Sequence, residues 1–162
     1  IQNFVKNNPS IDHDRIYLGG CSNGGYMTLK LLIENPDYFA AGYISSLAYH
    51  NEFVTESQLL RLKNIPIWFV HAQDDAVTEA DKTATPLFKR LKQLGNNNVY
   101  YSLFDHVIDS SNQYGGKNYL YNGHWSWVYL HANQVFYDYD KSPVLWQGKV
   151  VSIMEWMAAQ HK

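Results

Sequence analysis

Short apolar segments alternate along this sequence with segments whose apolar residues recur at helical spacing. The strand-like segments are 14–19, 40–49, 67–72 and 99–104, and the helix-like ones are 24–34, 56–63, 79–94 and 148–160. Strands separated by helices pair in parallel, so this order predicts an α/β fold with a mostly parallel sheet of about four strands and flanking helices. In such a sheet, functional loops lie at the carboxyl ends of the strands.

Length, charge and cysteine content limit the kind of domain this is and the partners it can bind. The 162 residues, 46% of them hydrophobic, suffice for one domain with a sizeable core. The net charge is −2 and no basic cluster exceeds Lys89, Arg90 and Lys92, so we expect no nucleic acid and no anionic membrane as partner. No apolar run approaches the roughly 18 residues of a membrane-spanning helix. With Cys21 as the single cysteine, an internal disulfide is excluded.

The stretch Gly20 to Gly24, "GCSNG", fits the G-x-S-x-G turn between a strand and a helix. Such a turn raises its serine, Ser22, above the sheet at the start of the following helix. Positions 20 and 24 are expected to require glycine, because a side chain two residues from the serine would collide with neighbouring backbone. The N–H of Asn23 would then face a developing oxyanion and form part of an oxyanion hole.

Two other interpretations of this glycine-rich stretch are weaker. A flexible linker would not be flanked by apolar segments on both sides. A phosphate-binding loop requires Gly-Lys-Ser/Thr at its end, and Lys30 lies too far along the predicted helix. The turn is therefore interpreted as the support of a nucleophilic serine.

A serine on such a turn needs an acid and a base, which follow in the order Ser, Asp/Glu, His. Asp75 comes shortly after the strand at 67–72 and is our choice for the acid. Its neighbour Asp74 is the alternative, although it suits a helix cap or a solvated turn better.

The base is assigned to His124 in "YNGHWSW", where the preceding glycine would let the backbone turn sharply. His106 is the competitor, but it directly follows the strand at 99–104 and reads more simply as a strand-end residue. We expect His131 to be half-buried and structural, and His13 to lie on the surface. The histidines and aspartates lack the helical i, i+4 pair plus third ligand typical of zinc sites, so we expect no metal and no cofactor.

The motifs "DRIYLGGCSNGGYMT", "IPIWFVHAQDDAV" and "GHWSW" together resemble the α/β-hydrolase superfamily. More narrowly, they resemble its esterase branch, related to polyhydroxybutyrate depolymerases and prolyl-oligopeptidase-type serine hydrolases. The resemblance covers nearly the whole chain and corresponds to the C-terminal half of the family's fold. It implies that Asp75, four residues after His71, is the acid and that His71 is structural.

The same resemblance implies that the site is incomplete within residues 1–162. The family takes its second oxyanion-hole amide from a loop after an early strand, and nothing before Ile11 can supply that loop. The strand containing residues 15–19 would also keep one unpaired apolar edge. We therefore expect 1–162 to be the C-terminal portion of a single catalytic domain, partnered by a missing N-terminal half, and to be poorly soluble or inactive alone.

The chemistry expected of this set is two-step acyl transfer on a small-molecule or polymer ester. Ser22 would attack, His124 would carry its proton, and Asp75 would hold the imidazole in the correct tautomer. One alternative is a serine peptidase of the prolyl-oligopeptidase type. Another, from a different class, is an α/β-hydrolase-like domain that binds without catalysing.

Overall fold

Four parallel strands form the main sheet of the computed structural model, which describes residues 1–162. In spatial order they are β1 (Tyr17–Cys21), β2 (Ala41–Ser45), β3 (Ile67–Ala72) and β4 (Val99–Phe104). Every neighbouring pair is parallel. The predicted parallel sheet of about four strands is confirmed.

Six helices and one small hairpin complete the chain. The helices are α1 (Gln2–Lys6), α2 (Asn23–Glu34), α3 (Glu56–Arg61), α4 (Ala84–Gln93), α5 (Trp127–His131) and α6 (Ile153–Ala158), and the hairpin pairs β5 (Leu145–Trp146) with β6 (Lys149–Val150). Capping boxes fix the starts of α3 and α6, at Thr55 with Gln58 and at Ser152 with Glu155. None of the helices has the length and apolar character needed to cross a membrane.

Several predicted boundaries move for local reasons. The strand expected at 40–49 ends at Ser45 because Ser46 has a left-handed backbone, with φ of 45°. The helix expected at 79–94 begins only at Ala84, since Thr83 leaves the helical region after a short 3₁₀ turn. The helix expected at 148–160 begins at Ile153, after the β5–β6 hairpin. The strand expected at 14–19 starts at Tyr17.

Two apolar clusters lie on opposite faces of the sheet, as β3 shows most clearly. Its six residues are all buried, and successive side chains point to opposite faces. Ile67 and Phe69 join the cluster formed with α2, α3 and α4. Trp68 and Val70 join the cluster formed with α5 and α6. The sheet is therefore packed between helices on both faces.

The two outer strands of the sheet differ in how they are covered. Along β4, the segment 137–141 supplies polar contacts: the Tyr101 N–H donates to Asp138 Oδ1, and Ser102 Oγ donates to the Tyr137 carbonyl. Strand β1 pairs with β2 alone. Its residues are half-buried or exposed, and Met27 on the adjoining helix is 54% exposed. Strand β1 is thus an edge strand whose outer side is free in this chain.

Candidate active site

Ser22 occupies a strained turn between β1 and α2. Its backbone has φ of 56° and ψ of −117°, a region that costs energy for any residue other than glycine. Its N–H donates to the carbonyl of Ser45 at 2.9 Å, and its carbonyl accepts from the N–H of Tyr26 at 3.0 Å. These bonds on both sides hold the strained residue at the carboxyl end of β1.

The glycines around this turn play different parts from those expected. A Cβ at Gly20 would lie 2.3 Å from the carbonyl oxygen of Gly24, so Gly20 must be glycine, as predicted. At Gly24 a Cβ would meet nothing within 4 Å, so within this chain the predicted collision is absent. Gly25 is the buried glycine of the helix, where a Cβ would lie 3.0 Å from the Ser45 carbonyl. It lets α2 pack closely on β2.

His124 lies on a 3₁₀ turn, Gly123–Trp125, after the long loop that follows β4. The Asn122 side chain accepts the His124 N–H at 2.9 Å and caps the turn. Gly123 is required by close contact rather than by a sharp bend, because its Cβ would lie 2.3 Å from Asp74 Oδ1 and 2.7 Å from the Asp74 carbonyl carbon. The histidine turn is therefore packed directly on the turn after β3.

The structure brings Ser22, His124 and Asp75 together in one line. His124 Nε2 lies 2.9 Å from Ser22 Oγ, and His124 Nδ1 lies 2.9 Å from Asp75 Oδ2. Because a carboxylate can only accept, Nδ1 carries the proton and Nε2 is left to accept from the serine hydroxyl. The imidazole side chain is 11% exposed and the Asp75 side chain is fully buried. A hydroxyl, an imidazole and a carboxylate arranged in this way can act as a nucleophile, a base and an orienting acid.

The Asp75 carboxylate is held ionised by its donors. Oδ1 accepts the backbone N–H groups of Val77 at 2.8 Å and Thr78 at 2.9 Å. Oδ2 accepts from Thr78 Oγ1 at 2.8 Å and from His71 Nε2 at 3.0 Å. Burial acts to raise the pKa of Asp75, but the hydrogen bonds from His71, Thr78 and His124 outweigh it and hold the pKa well below its usual range.

The other candidate acids and bases lie outside this line. Asp74 accepts from His106 Nδ1 at 2.8 Å, in a pair whose side chains are 36% and 56% exposed. His13 is exposed, as expected. His131 is exposed at the end of α5, so the expectation that it is half-buried is wrong.

Two contacts to Asp75 were not recognised from the sequence. His71 was expected to be structural, and its side chain is fully buried, but it also bonds the carboxylate directly. Its spacing of four residues from Asp75 was the available signal. Thr78 carried no signal, because a threonine three residues after an aspartate is common in turns.

Asn23 is the first residue of α2, so its N–H has no carbonyl one helical turn earlier to bond. That leaves the amide free to meet an oxygen held above Ser22. No group of three or more His, Cys, Asp or Glu side chains is placed to hold a metal ion.

Aromatic side chains follow Ser22 on α2 and pack against His124. Tyr26 stacks on Tyr49 with ring centroids 4.9 Å apart, and Trp127 meets the His124 ring edge-on at 5.3 Å. None of the cavities in the chain is lined by Ser22 or His124. A cavity of about 450 Å³ lies instead at the amino ends of β2 and β3, against Ala40 and Pro66.

Comparison with known proteins bears on the fold and the superfamily of the chain. The sequence model of the prolyl oligopeptidase family matches residues 1–56, a range that includes Ser22. A thermostable esterase of known structure superposes with a TM-score of 0.71 and 25% identity, over 99% of this chain and 35% of that one. A Pyrococcus horikoshii acylaminoacyl peptidase superposes with a TM-score of 0.56 and 22% identity, over 79% of this chain and 24% of that one. Among curated proteins no match is found.

The chain is related to the α/β-hydrolase superfamily, with esterase and prolyl-oligopeptidase-type hydrolases among its relatives. The resemblance seen in the sequence motifs is thereby confirmed, and the four-stranded sheet is a partial α/β-hydrolase fold. The chain spans about a third or less of the length of these matched structures.

Proposed function

We propose that this chain carries the catalytic residues of a serine hydrolase that cleaves carboxylic esters through an acyl-enzyme intermediate. The hydrogen-bonded line from Ser22 through His124 to Asp75, beginning on a strained turn, is the observation that carries the proposal. A solvated surface serine would need neither the strain nor a buried imidazole within 2.9 Å of its hydroxyl.

The reaction follows from these contacts. Ser22 Oγ attacks the ester carbonyl carbon while its proton passes to His124 Nε2, and the Asn23 N–H stabilises the oxyanion. The imidazolium returns the proton to the departing alkoxide, leaving an acyl group on Ser22. Water then attacks the acyl carbon, again giving a proton to His124, and the acid leaves as Ser22 recovers its hydrogen. Asp75 stays ionised and holds Nδ1–H throughout.

Ester cleavage is favoured over peptide cleavage by the comparisons. The esterase superposes on almost all of this chain, with a higher TM-score and identity than the acylaminoacyl peptidase. A serine peptidase of the prolyl-oligopeptidase type is the second candidate, because that family's sequence model covers the serine turn.

We also propose that 1–162 is the C-terminal portion of one catalytic domain. Strand β1 has an unpaired edge, and Gly24 and Met27 are exposed about one helical turn apart on α2. A further portion of the same domain, pairing with β1, would cover these groups and bring a second amide to the oxyanion. Loss of one such donor typically costs about 10²–10³ in turnover. Residues 1–162 alone are therefore expected to be weakly active or poorly soluble.

Fluorophosphonate labelling followed by intact mass tests the proposal, on 1–162 and on the longer protein that contains it. We expect one adduct on the longer protein, mapping to Ser22 and absent from Ser22→Ala, with the exposed Ser110→Ala variant as control. A folded protein that gains no adduct would favour a non-catalytic binding domain. Matched ester and amide substrates then separate esterase from peptidase. A cooperative melt and full activity from 1–162 alone would refute the missing-portion proposal.

A further inference from the structure

Three side-chain donors converge on a single oxygen of Asp75. His124 Nδ1 lies 2.9 Å from Oδ2, Thr78 Oγ1 lies 2.8 Å from it, and His71 Nε2 lies 3.0 Å from it. The proposed catalytic triad requires only the first of these contacts, between His124 and Asp75. The other two come from side chains with no part in the acyl-transfer steps, so their presence needs a separate explanation.

The proton positions follow from what surrounds His71. Nε2 faces two acceptors, Asp75 Oδ2 and the carbonyl of Thr78 at 2.7 Å, so it carries the hydrogen. Nδ1 is buried without any partner. Leaving a buried polar atom unpaired is costly, and an apolar side chain would avoid that cost. The bond that His71 makes through Nε2 therefore accounts for the imidazole at this position.

Thr78 lies between the two imidazoles. Its Oγ1 is 3.4 Å from His71 Nε2 and 3.2 Å from His124 Nδ1. Both nitrogens carry hydrogens, so the single hydroxyl hydrogen of Thr78 goes to Asp75 Oδ2. The backbone N–H of Thr78 also bonds Oδ1, so this one residue contacts both carboxylate oxygens.

We propose that His71 and Thr78 are positioning residues that fix the direction of Asp75 Oδ2 toward His124. We call His71 and Thr78 together the clasp. The clasp acts only through Asp75, and its proposed role rests on the proposed serine-hydrolase function. With the carboxylate unable to rotate, the Nδ1–H tautomer and the aim of Nε2 at Ser22 are set before substrate binds. The His71 side chain is fully buried and the Thr78 hydroxyl bonds Asp75, so we expect the clasp to affect kcat and to leave KM unchanged.

Two pairs of variants of the longer protein test the clasp, with p-nitrophenyl acetate as substrate. Thr78→Val removes the hydroxyl at nearly constant shape, and Thr78→Ser keeps it. His71→Asn loses the donor at the Nε2 position, and His71→Gln can return an amide N–H to it. For Thr78→Val and His71→Asn we expect kcat to fall about 10- to 100-fold, the range for a hydrogen bond to a charged group. KM should stay within about twofold, and Thr78→Ser and His71→Gln should recover most of kcat.

A double-mutant cycle shows whether the effect passes through Asp75. In an Asp75→Asn background, Thr78→Val should cause no further loss of kcat. An equal loss in both backgrounds, or equal losses for Thr78→Val and Thr78→Ser, would overturn the proposal. If Thr78→Val fails to fold, the His71→Asn and His71→Gln pair decides in the same way. If the longer protein without substitutions is not labelled by fluorophosphonate, the proposed function itself is refuted. If it is labelled but the His71 and Thr78 variants keep their kcat, only the clasp is refuted.

Discussion

Ser46 Oγ donates a hydrogen bond of 2.7 Å to the carbonyl oxygen of His124, joining the loop after β2 to the histidine turn. The same hydroxyl lies 2.9 Å from Ser126 Oγ, which lies 3.0 Å from Ser45 Oγ. The Ser45 carbonyl in turn accepts the N–H of Ser22. A buried polar network therefore connects the Ser22 turn to the His124 turn, and such networks fix relative geometry when every member is satisfied.

Removing the first link of this network should loosen the histidine turn. Ser46→Ala leaves the His124 carbonyl without its donor, so we expect kcat to fall roughly 2- to 10-fold, the range for a neutral hydrogen bond, together with a lower melting temperature. Steady-state kinetics and thermal melts measure both effects, with Ser110→Ala as the exposed control. A lower melting temperature with unchanged kcat would show that the network only stabilises the fold.

Alanine substitutions at Gly20 and Gly24 form a matched pair that tests the packing of the turn around Ser22. Gly20→Ala would force a Cβ to within 2.3 Å of the Gly24 carbonyl, so we expect a loss of about 1–3 kcal/mol in the free energy of unfolding. In 1–162, Gly24→Ala meets open space and should be neutral or stabilising by no more than about 1 kcal/mol. Denaturant unfolding measures both.

Gly24→Ala also tests the proposed missing portion of the domain. If a further segment packs over α2 beside the free edge of β1, the added methyl should destabilise the longer protein while leaving 1–162 unharmed. The same response in both proteins would mean that nothing packs closely over Gly24. Urea unfolding of the two proteins side by side makes the comparison.

Much of this arrangement was predictable from the sequence. The bounds of β3 and β4 are those predicted, because each is a short, mainly apolar run rich in β-branched and aromatic residues. The G-x-S-x-G pattern indicated a strained turn at Ser22 because a strand-like segment precedes it and a helix-like segment follows it. Local rules thus identify the elements and the sharpest turn.

What the sequence did not reveal depends on contacts between distant segments. The need for Gly123 comes from Asp74, and the contact between Ser46 and His124 spans 78 residues. Of the three donors to Asp75 Oδ2, only His124 comes from a distant segment, 49 residues along the chain. The late start of α4 is a local exception, because the backbone of a single residue, Thr83, leaves the helical region. No periodicity in the sequence marks that break.

Replacing the acid itself should be far more damaging to catalysis. Asp75→Asn would place an amide N–H₂ among groups that already donate, so the tautomer of His124 is no longer enforced. We expect kcat to fall by about 10⁴, the loss known for the equivalent change in another triad. Because the pKa of Asp75 lies well below its usual range, the acid remains ionised and should not set the acid limb of the wild-type kcat/KM profile. A profile whose acid limb is lost only in Asp75→Asn would contradict this.

A second buried carboxylate organises the loop that leads to His124. Asp109 accepts from the hydroxyl and N–H of Ser111 and from the N–H groups of Tyr114 and Gly116. The Ser111 hydroxyl, helped by the three amides and opposed by burial, lowers the pKa of Asp109 from its ordinary 3.8 to about 2. A depressed carboxylate pKa stabilises the fold fully above the unfolded value and loses that effect as the pH falls toward the folded value.

Asp109→Asn should therefore lower the melting temperature at pH 7, because an amide N–H₂ would face backbone N–H groups. The difference from the parent should shrink as the pH falls from about 4 to about 2, since the parent carboxyl is then protonated as well. Thermal melts at a series of pH values measure it. Asp105→Asn, whose parent side chain is 89% exposed, is the control and should show little difference at any pH. A deficit in Asp109→Asn that stays constant down to pH 2 would mean that the charge of Asp109 does not hold the loop.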